Sequence, residues 1–231
     1  MSATHPLRLL TIDLRNTAPA VREALQLSHA ELDELVRNAC STGKQFDLAL
    51  VSYPDCFEIY STDASHAAAY RAVLFELVVR AGGRENLRAL PTVEVTGPAV
   101  ARRLVRRAAG LEAPSVFEVL RELNVAVTRG RAAGTFGPEL SALFGAAIEA
   151  GFRVYTDTAL GDSTKSQAER ELDMLEAERI VEEELVAWKA QHGVAKSAPP
   201  PALDVSYYSS AEPGSAIRLK GLAGLRSARV A

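Results

Sequence analysis

Cysteine is scarce in this chain. Cys40 and Cys56 are the two thiols in 231 residues, too few for a disulfide framework and wrongly spaced for a zinc site. No stretch approaches the roughly 18 consecutive apolar residues that a membrane-spanning helix needs. The opening Met1-Ser2-Ala3-Thr4-His5-Pro6 lacks the basic-then-apolar signature of a secretory signal. The histidines, His5, His29, His66 and His192, are dispersed and show no ligand spacing. No Gly-x-Gly-x-x-Gly occurs, so the close backbone approach that a dinucleotide pyrophosphate requires is not encoded. There is no excess of basic charge either: the formal net charge is −3, which does not announce a nucleic-acid binder, although local patches remain open. These absences describe a cytoplasmic protein with reduced thiols and no resident metal.

The patterning that is present predicts an α+β fold, a small sheet with flanking helices followed by a long helix. Leu7–Leu14 reads as a strand ended by Asn16-Thr17-Ala18-Pro19, with Pro19 in the first turn of a helix capped by Thr17 or Asn16. Ser28-His29-Ala30-Glu31 is a capping box opening a second helix, with Leu32, Leu35, Val36 and Ala39 on one face. Phe46–Val51 and Phe57–Ser61 are short strands split by a turn at Tyr53-Pro54-Asp55. Ser65–Ala81 is helical, its apolar residues including Phe75, Leu77 and Val79, and Gly82-Gly83 stops it. Leu90–Val95 is a further strand. Helices are expected over Pro98–Gly110, Ala113–Thr128 and Pro138–Glu149.

Ser166 to His192 reads as one long helix. Met174, Val181 and Trp188 are seven apart, with Ala177 and Leu185 between them, an apolar stripe suited to a partner helix. Homodimerisation through this stripe is the preferred reading; packing back on its own domain is the other. Beyond it, Ala198-Pro199-Pro200-Pro201 opens a Ser-, Gly- and Ala-containing segment expected to be a flexible tail. The organisation is thus 1–161 as a catalytic-type domain, 162–193 as a dimerisation helix and 194–231 as a tail.

One segment carries chemistry. Ser52-Tyr53-Pro54-Asp55-Cys56-Phe57-Glu58-Ile59-Tyr60 resembles the Ser-Thr-Cys-Asn-Arg-Thr-Glu-Ile-Tyr segment of glutamyl-tRNA reductases. Other blocks support the resemblance in order: Thr17-Ala18-Pro19 with Arg22-Glu23, and Arg102 to Leu111, where Arg103 stands in place of a histidine. Arg153 to Gly161 and Ala177 to Trp188 follow, the latter resembling the start of the family's "spinal" dimerisation helix. Between those last two the family carries an NADPH-binding domain; here residues 162–176 alone separate them. The resemblance therefore implies an N-terminal catalytic-type domain and the start of the dimerisation helix, without an NADPH site.

In that family a thiolate attacks the ester joining glutamate to the tRNA 3′ end, and hydride from NADPH reduces the thioester. The family's cysteine falls on Pro54, which offers no nucleophile, and its substrate-reading arginine falls on Cys56. Positions two apart on a strand share a side, so Cys56 faces the same side as residue 54 but is displaced by about 7 Å. It is either a relocated nucleophile or an inert buried thiol. Ser52, Arg22, Arg102, Arg103 and Glu118 match or neighbour family positions and are the expected substrate-binding residues. Arg102, Arg103, Arg106 and Arg107 form a basic stripe, read either as a solvated face or as an RNA-backbone contact.

Two functional readings follow. The first is a non-reducing user of glutamyl-tRNA or a related charged tRNA, passing the aminoacyl group to a small acceptor in specialised metabolism. The second is a pseudoenzyme that binds haem or a full-length reductase partner in a mixed dimer, as a regulator of tetrapyrrole biosynthesis. Haem enters because the family is feedback-controlled by it; this sequence has no Cys-Pro pair, only Pro54-Asp55-Cys56.

Overall fold

Alternating apolar residues on short strands and period-3.6 stripes on the helices build a four-stranded antiparallel sheet covered on both faces. The computed structural model describes residues 7–40, 47–62, 66–113, 115–158 and 166–192. The strands are β1 (Leu7–Asp13), β2 (Leu48–Ser52), β3 (Cys56–Thr62) and β4 (Thr92–Thr96), in the order β2-β3-β1-β4. Before β2 come α1 (Pro19–Leu25) and α2 (His29–Cys40). Between β3 and β4 lie α3 (His66–Arg80) and a short α4 (Arg84–Arg88). After β4 the chain is helical: α5 (Pro98–Ala108), α6 (Val116–Ala133), α7 (Pro138–Asp157) and α8 (Gln167–His192). None of the described helices is long and apolar enough to cross a membrane. The segment 194–231 and residues 159–165 lie outside the described residues.

Register explains why the strands carry apolar residues on both sides. β1 pairs with β3 from Leu7↔Thr62 to Asp13↔Cys56. One face presents Leu7, Leu9, Ala49, Val51 and Tyr60 to α5, α6 and α7, with α8 packed on α5 and α7 beyond them. The other presents Leu10, Ile12, Leu48, Leu50, Phe57 and Ile59 to the buried faces of α2 and α3. A strand buried on both faces loses the simple alternation of a half-exposed one.

Local signals fix several ends. Ser28 caps α2, its Oγ donating to Glu31 Oε2 at 2.6 Å and the Ser28 N–H donating to the same oxygen at 2.8 Å. The same box recurs at α8, where the Ser166 N–H and Oγ both donate to Glu169 Oε2. α1 departs from expectation: neither Thr17 nor Asn16 caps it. The N-cap is Ala18 with no side-chain bond, and the Thr17 hydroxyl donates back to the Asp13 carbonyl instead. α6 ends at Gly134, whose φ of +70° is the left-handed cap that favours glycine. Gly151 in α7 answers a different need. A Cβ there would sit 2.7 Å from the Ala108 carbonyl oxygen of α5 and 2.7 Å from Leu120 Cδ2, so the crossing of α5 and α7 leaves no room for one.

The apolar stripe of α8 is turned inward. Ala177, Ile180, Val181 and Leu185 are buried against α5 and α7, with Trp188 packed beside them, while Met174 is 53% exposed. Glutamates of α8 hold the same contact from its flanks. Arg102 donates to Glu182 at 2.8 Å, Arg106 donates to Glu178, and Arg153 donates to both Glu183 and Glu184. A stripe that lies in one core this way is the packing-back arrangement; Leu172, Leu175 and Val186 are the apolar residues that α8 leaves exposed.

Candidate functional site

The site is built where β2 turns into β3. The Tyr53 N–H donates to the Cys56 carbonyl at 2.8 Å, and the Asp55 carbonyl accepts from the Leu14 N–H at 2.8 Å. The Gln26 side-chain amide donates to the Pro54 carbonyl at 3.0 Å. The turn is therefore tied to the end of β1 and to the end of α1, and its backbone is fixed on three sides. Pro54 is exposed at the tip and Ser52 half-buried at the end of β2.

Beneath the turn is a buried polar cluster. Glu58 on β3 has 0% of its surface exposed. Its carboxyl accepts from the Tyr60 hydroxyl at 2.6 Å and from Thr11 Oγ1 at 3.4 Å, and Arg103 Nε lies 3.8 Å away. Arg107 on α5 donates to Asp55 at 2.5 Å and lays its guanidinium 4.1 Å above the Tyr53 ring. Three buried polar atoms here have no hydrogen-bond partner among the described residues: the Tyr53 hydroxyl, Arg103 Nε and Arg107 Nε. Leaving such atoms unsatisfied costs about 1–3 kcal/mol each, and a polar ligand or water is the ordinary remedy.

Cys56 sits within this cluster, 3% exposed. Burial pushes its thiol well up from the ordinary 9.0, the charge of Glu58 adds to that, and Arg107 opposes without prevailing. Burial and the Glu58 carboxyl likewise raise both Tyr53 and Tyr60 far above the usual phenol range. At the rim, bonds from Arg15 hold Asp13 below its ordinary carboxylate value. The cluster is thus a set of neutral hydroxyls and one neutral thiol around two guanidinium and two carboxyl groups. Its guanidinium and hydroxyl groups are hydrogen-bond donors suited to a polar ligand, and burial disfavours a thiolate at Cys56.

The expected site residues are distributed unevenly. Arg103 and Cys56 lie in the cluster, and Ser52 stands beside it at the end of β2. Arg22 spends its donors on the carbonyls of Leu14, Arg15 and Thr17, fixing the loop that the turn leans on. Arg102 turns to Glu182 on α8. Glu118 stands on the exposed first turn of α6, where its N–H donates to Ser115 Oγ at 3.3 Å. The basic stripe on α5 splits accordingly: Arg102 and Arg106 face α8, while Arg103 and Arg107 face the sheet.

Thr11, Tyr53, Asp55, Glu58 and Tyr60 are site residues beyond those expected from the sequence, and Arg107 joins them from the basic stripe. One signal was available, since Glu58 and Tyr60 are two apart on β3 and so share a face, with the apolar Phe57 and Ile59 on the other. His29 pairs with Glu122 at 3.0 Å on the α2–α6 surface, and His66 and His192 are helix-terminal. His5 is outside the described residues. Among the described residues no group of three His, Cys, Asp or Glu side chains is placed to hold a metal ion.

Comparison with known proteins gives the same answer as the geometry of the sheet. Residues 10–158 match the family described as the glutamyl-tRNA(Glu) reductase N-terminal domain. The glutamyl-tRNA reductase of Pseudomonas syringae pv. syringae (strain B728a) is 30% identical over 161 residues, covering 69% of this chain and 37% of that protein. Glutamyl-tRNA reductase 2 of Anaeromyxobacter sp. (strain Fw109-5) is 28% identical over 193 residues, covering 78% of this chain and 44% of its own length. Among solved structures, glutamyl-tRNA reductase from Methanopyrus kandleri superposes with a TM-score of 0.52 at 20% identity, over 79% of this chain and 47% of that one. The chain spans less than half the length of these relatives. Its α+β sheet, its ordered motifs and a match over most of its described length place it in the glutamyl-tRNA reductase N-terminal domain family.

Proposed function

We propose that the protein binds the aminoacyl end of a charged tRNA, glutamyl-tRNA first, at the β2–β3 turn without forming a protein thioester. The observation that carries this is the set of buried donors with no hydrogen-bond acceptor among the described residues, Tyr53 hydroxyl, Arg103 Nε and Arg107 Nε, gathered under a turn whose nucleophile position is Pro54. Guanidinium groups suit a ligand carboxylate, and a glutamyl side chain supplies one. A covalent role for Cys56 is disfavoured, because burial raises its thiol where a nucleophile would have to be a thiolate.

The chemistry open to such a site is acyl transfer to a small amine. The amine nitrogen bonds to the ester carbonyl carbon, the bond to the tRNA 3′ oxygen breaks, and that oxygen leaves with the proton the amine loses. No electrons change hands, so no nicotinamide is needed, and positioning of the ester against the amine is what the protein contributes.

The test mixes purified protein with glutamyl-tRNA and with uncharged tRNA, following binding and ester loss with and without a small amine such as hydroxylamine. Preference for the charged form, abolished by Arg103→Ala, and amine-dependent ester loss unchanged by Cys56→Ala are expected. Equal affinity for charged and uncharged tRNA would sink the reading. Ester loss that disappears in Cys56→Ala would instead make that thiol the nucleophile.

A further inference from the structure

Between α2 and α6, at the β2 edge of the sheet, lies a cavity of about 540 Å³ that the β2–β3 turn does not use. We infer that it is a binding site for a phosphate group.

The cleft is lined by His29, Asp33 and Arg37, spaced four apart along one face of α2, and by Arg121, Val125 and Arg129 among the residues of α6. Arg129 is its fixed point. The side chain is more than nine-tenths buried, its Nε donating to Asp33 at 2.6 Å and its Nη1 to the Leu50 carbonyl at 3.2 Å. The remaining nitrogen, Nη2, is buried and has no acceptor among the described residues. A guanidinium held on one edge with its other nitrogen idle is a preorganised donor for an anionic oxygen.

Charge in the cleft points the same way. Three guanidinium groups, Arg37, Arg121 and Arg129, face two carboxylates, Asp33 and Glu122, with His29 pairing to Glu122. Arg37 is exposed and has no ion-pair partner among the described residues. A net cationic cleft on a chain of net charge −3 is a local field that attracts anions against the sign of the whole. His29 and Arg37 are about 12 Å apart along the helix axis, at 1.5 Å per residue, a span that suits a ligand with more than one anionic group. Carboxylates would satisfy one guanidinium; a phosphate has the oxygens to engage Arg129 and a second arginine together.

The source of the phosphate is either an RNA backbone or a free phosphorylated molecule. The cleft is joined to the candidate site, since Gln26, three residues before His29, holds Pro54, and Arg129 holds Leu50, two residues before Ser52. That continuity favours RNA. The inference stands apart from aminoacyl capture, and its probes carry no aminoacyl group.

The experiment titrates the full chain with a short fluorescent RNA hairpin at low salt, then competes with inorganic pyrophosphate. The variants are Arg37→Glu with Arg121→Glu, and separately Val125→Glu, which places a carboxylate in the cleft, four residues from Arg129, while leaving Arg129 itself in place. Lys189→Glu on α8 is the charge-matched control. Both cleft variants should weaken RNA binding by about tenfold or more and lower its salt dependence, with the control unchanged. Displacement of the hairpin by pyrophosphate identifies a free phosphate as sufficient; resistance to it identifies the RNA backbone. Absence of binding by either probe, or equal loss in the control, overturns the site.

Discussion

Arg106 on α5 grips Glu178 on α8 with one guanidinium nitrogen 2.6 Å and 2.7 Å from its two carboxylate oxygens. One turn away along both helices Arg102 reaches Glu182, so α5 and α8 run antiparallel with matched charges. These pairs are partly exposed and contribute about 0.2–1 kcal/mol each; the stripe between them carries more. Glu178→Ala should therefore lower unfolding stability by about 1 kcal/mol or less, and Leu185→Ala by about 2–5 kcal/mol. Urea denaturation measures both. Because the stripe packs within one chain, the Leu185→Ala loss should be the same at low and high protein concentration. A loss that shrinks as concentration rises would move that contact to a seam between chains.

Alkaline stability should report the buried thiol. Cys56 in the folded state holds its proton far above 9.0, whereas the unfolded thiol releases it near that value. The folded form then binds more protons, so its contribution is fully present below about pH 9 and is lost as pH rises beyond that. The melting temperature should fall more steeply above pH 9 in the native chain than in Cys56→Ala. In thiol labelling at pH 8, half-buried Cys40 should react first.

Acid acts through the opposite sign at the start of α2. Bonds from Ser28 and Arg80 hold the Glu31 carboxyl down at about 2. Its support for the helix is complete above its ordinary 4.5 and disappears as pH falls through about 2. An NMR titration should place the Glu31 midpoint near 2, and Arg80→Ala should move it upward. Ser28→Ala should cost about 0.5–2 kcal/mol of stability as a lost cap.

Gly151→Ala sets helix propensity against space. Alanine is the better helix former by about 1 kcal/mol, yet its Cβ would lie 2.7 Å from a backbone oxygen of α5. Backbone cannot swing aside as a flexible side chain does, so the variant should be destabilised by about 1–3 kcal/mol. A neutral or stabilised variant in thermal melts would show that α5 and α7 separate more readily than this packing implies.

Pro54→Cys restores a sulfur at the tip of the turn, in an exposed position rather than a buried one. It should be alkylated rapidly at pH 8 while Cys56 in the same molecule is spared. Peptide mapping reads both sites at once. Slow labelling at residue 54 would mean that the turn encloses its own tip.

The capping box at Ser28–Glu31, the Gly82-Gly83 stop and the helix from residue 167 to 192 could all be read from local residue chemistry. What sequence periodicity could not supply was the identity of the covering surface. The α8 stripe has the same spacing whether it meets another chain or its own α5 and α7; here Ala177, Ile180, Val181 and Leu185 are buried against α5 and α7. In α3 the buried positions are Val73 and Leu77, while Phe75 and Val79 face solvent; the run Val73-Leu74-Phe75 and Leu77-Val78-Val79 spreads apolar residues over several faces and gives no phase. α4 is five residues long and carries no stripe to detect. At the site, the turn and Arg103 were legible through the family pattern. Glu58 was quoted within the motif but its total burial was not, since a carboxylate is tolerated there by partners distant in sequence, Thr11 and Arg103.

The crossing at Gly151 has a consequence for timing. With α5 pressed to backbone contact against α7, and α8 laid over both, the three helices have no slack for a hinge or a sliding step. A ligand at the buried cluster beneath Pro54 would have to be accommodated by rotation of Arg103, Tyr53 and their neighbours, motions of picoseconds to nanoseconds in exposed groups and slower where buried. Selectivity at such a site would come from the shape it already has, and dissociation would be set by broken hydrogen bonds rather than by the opening of a lid.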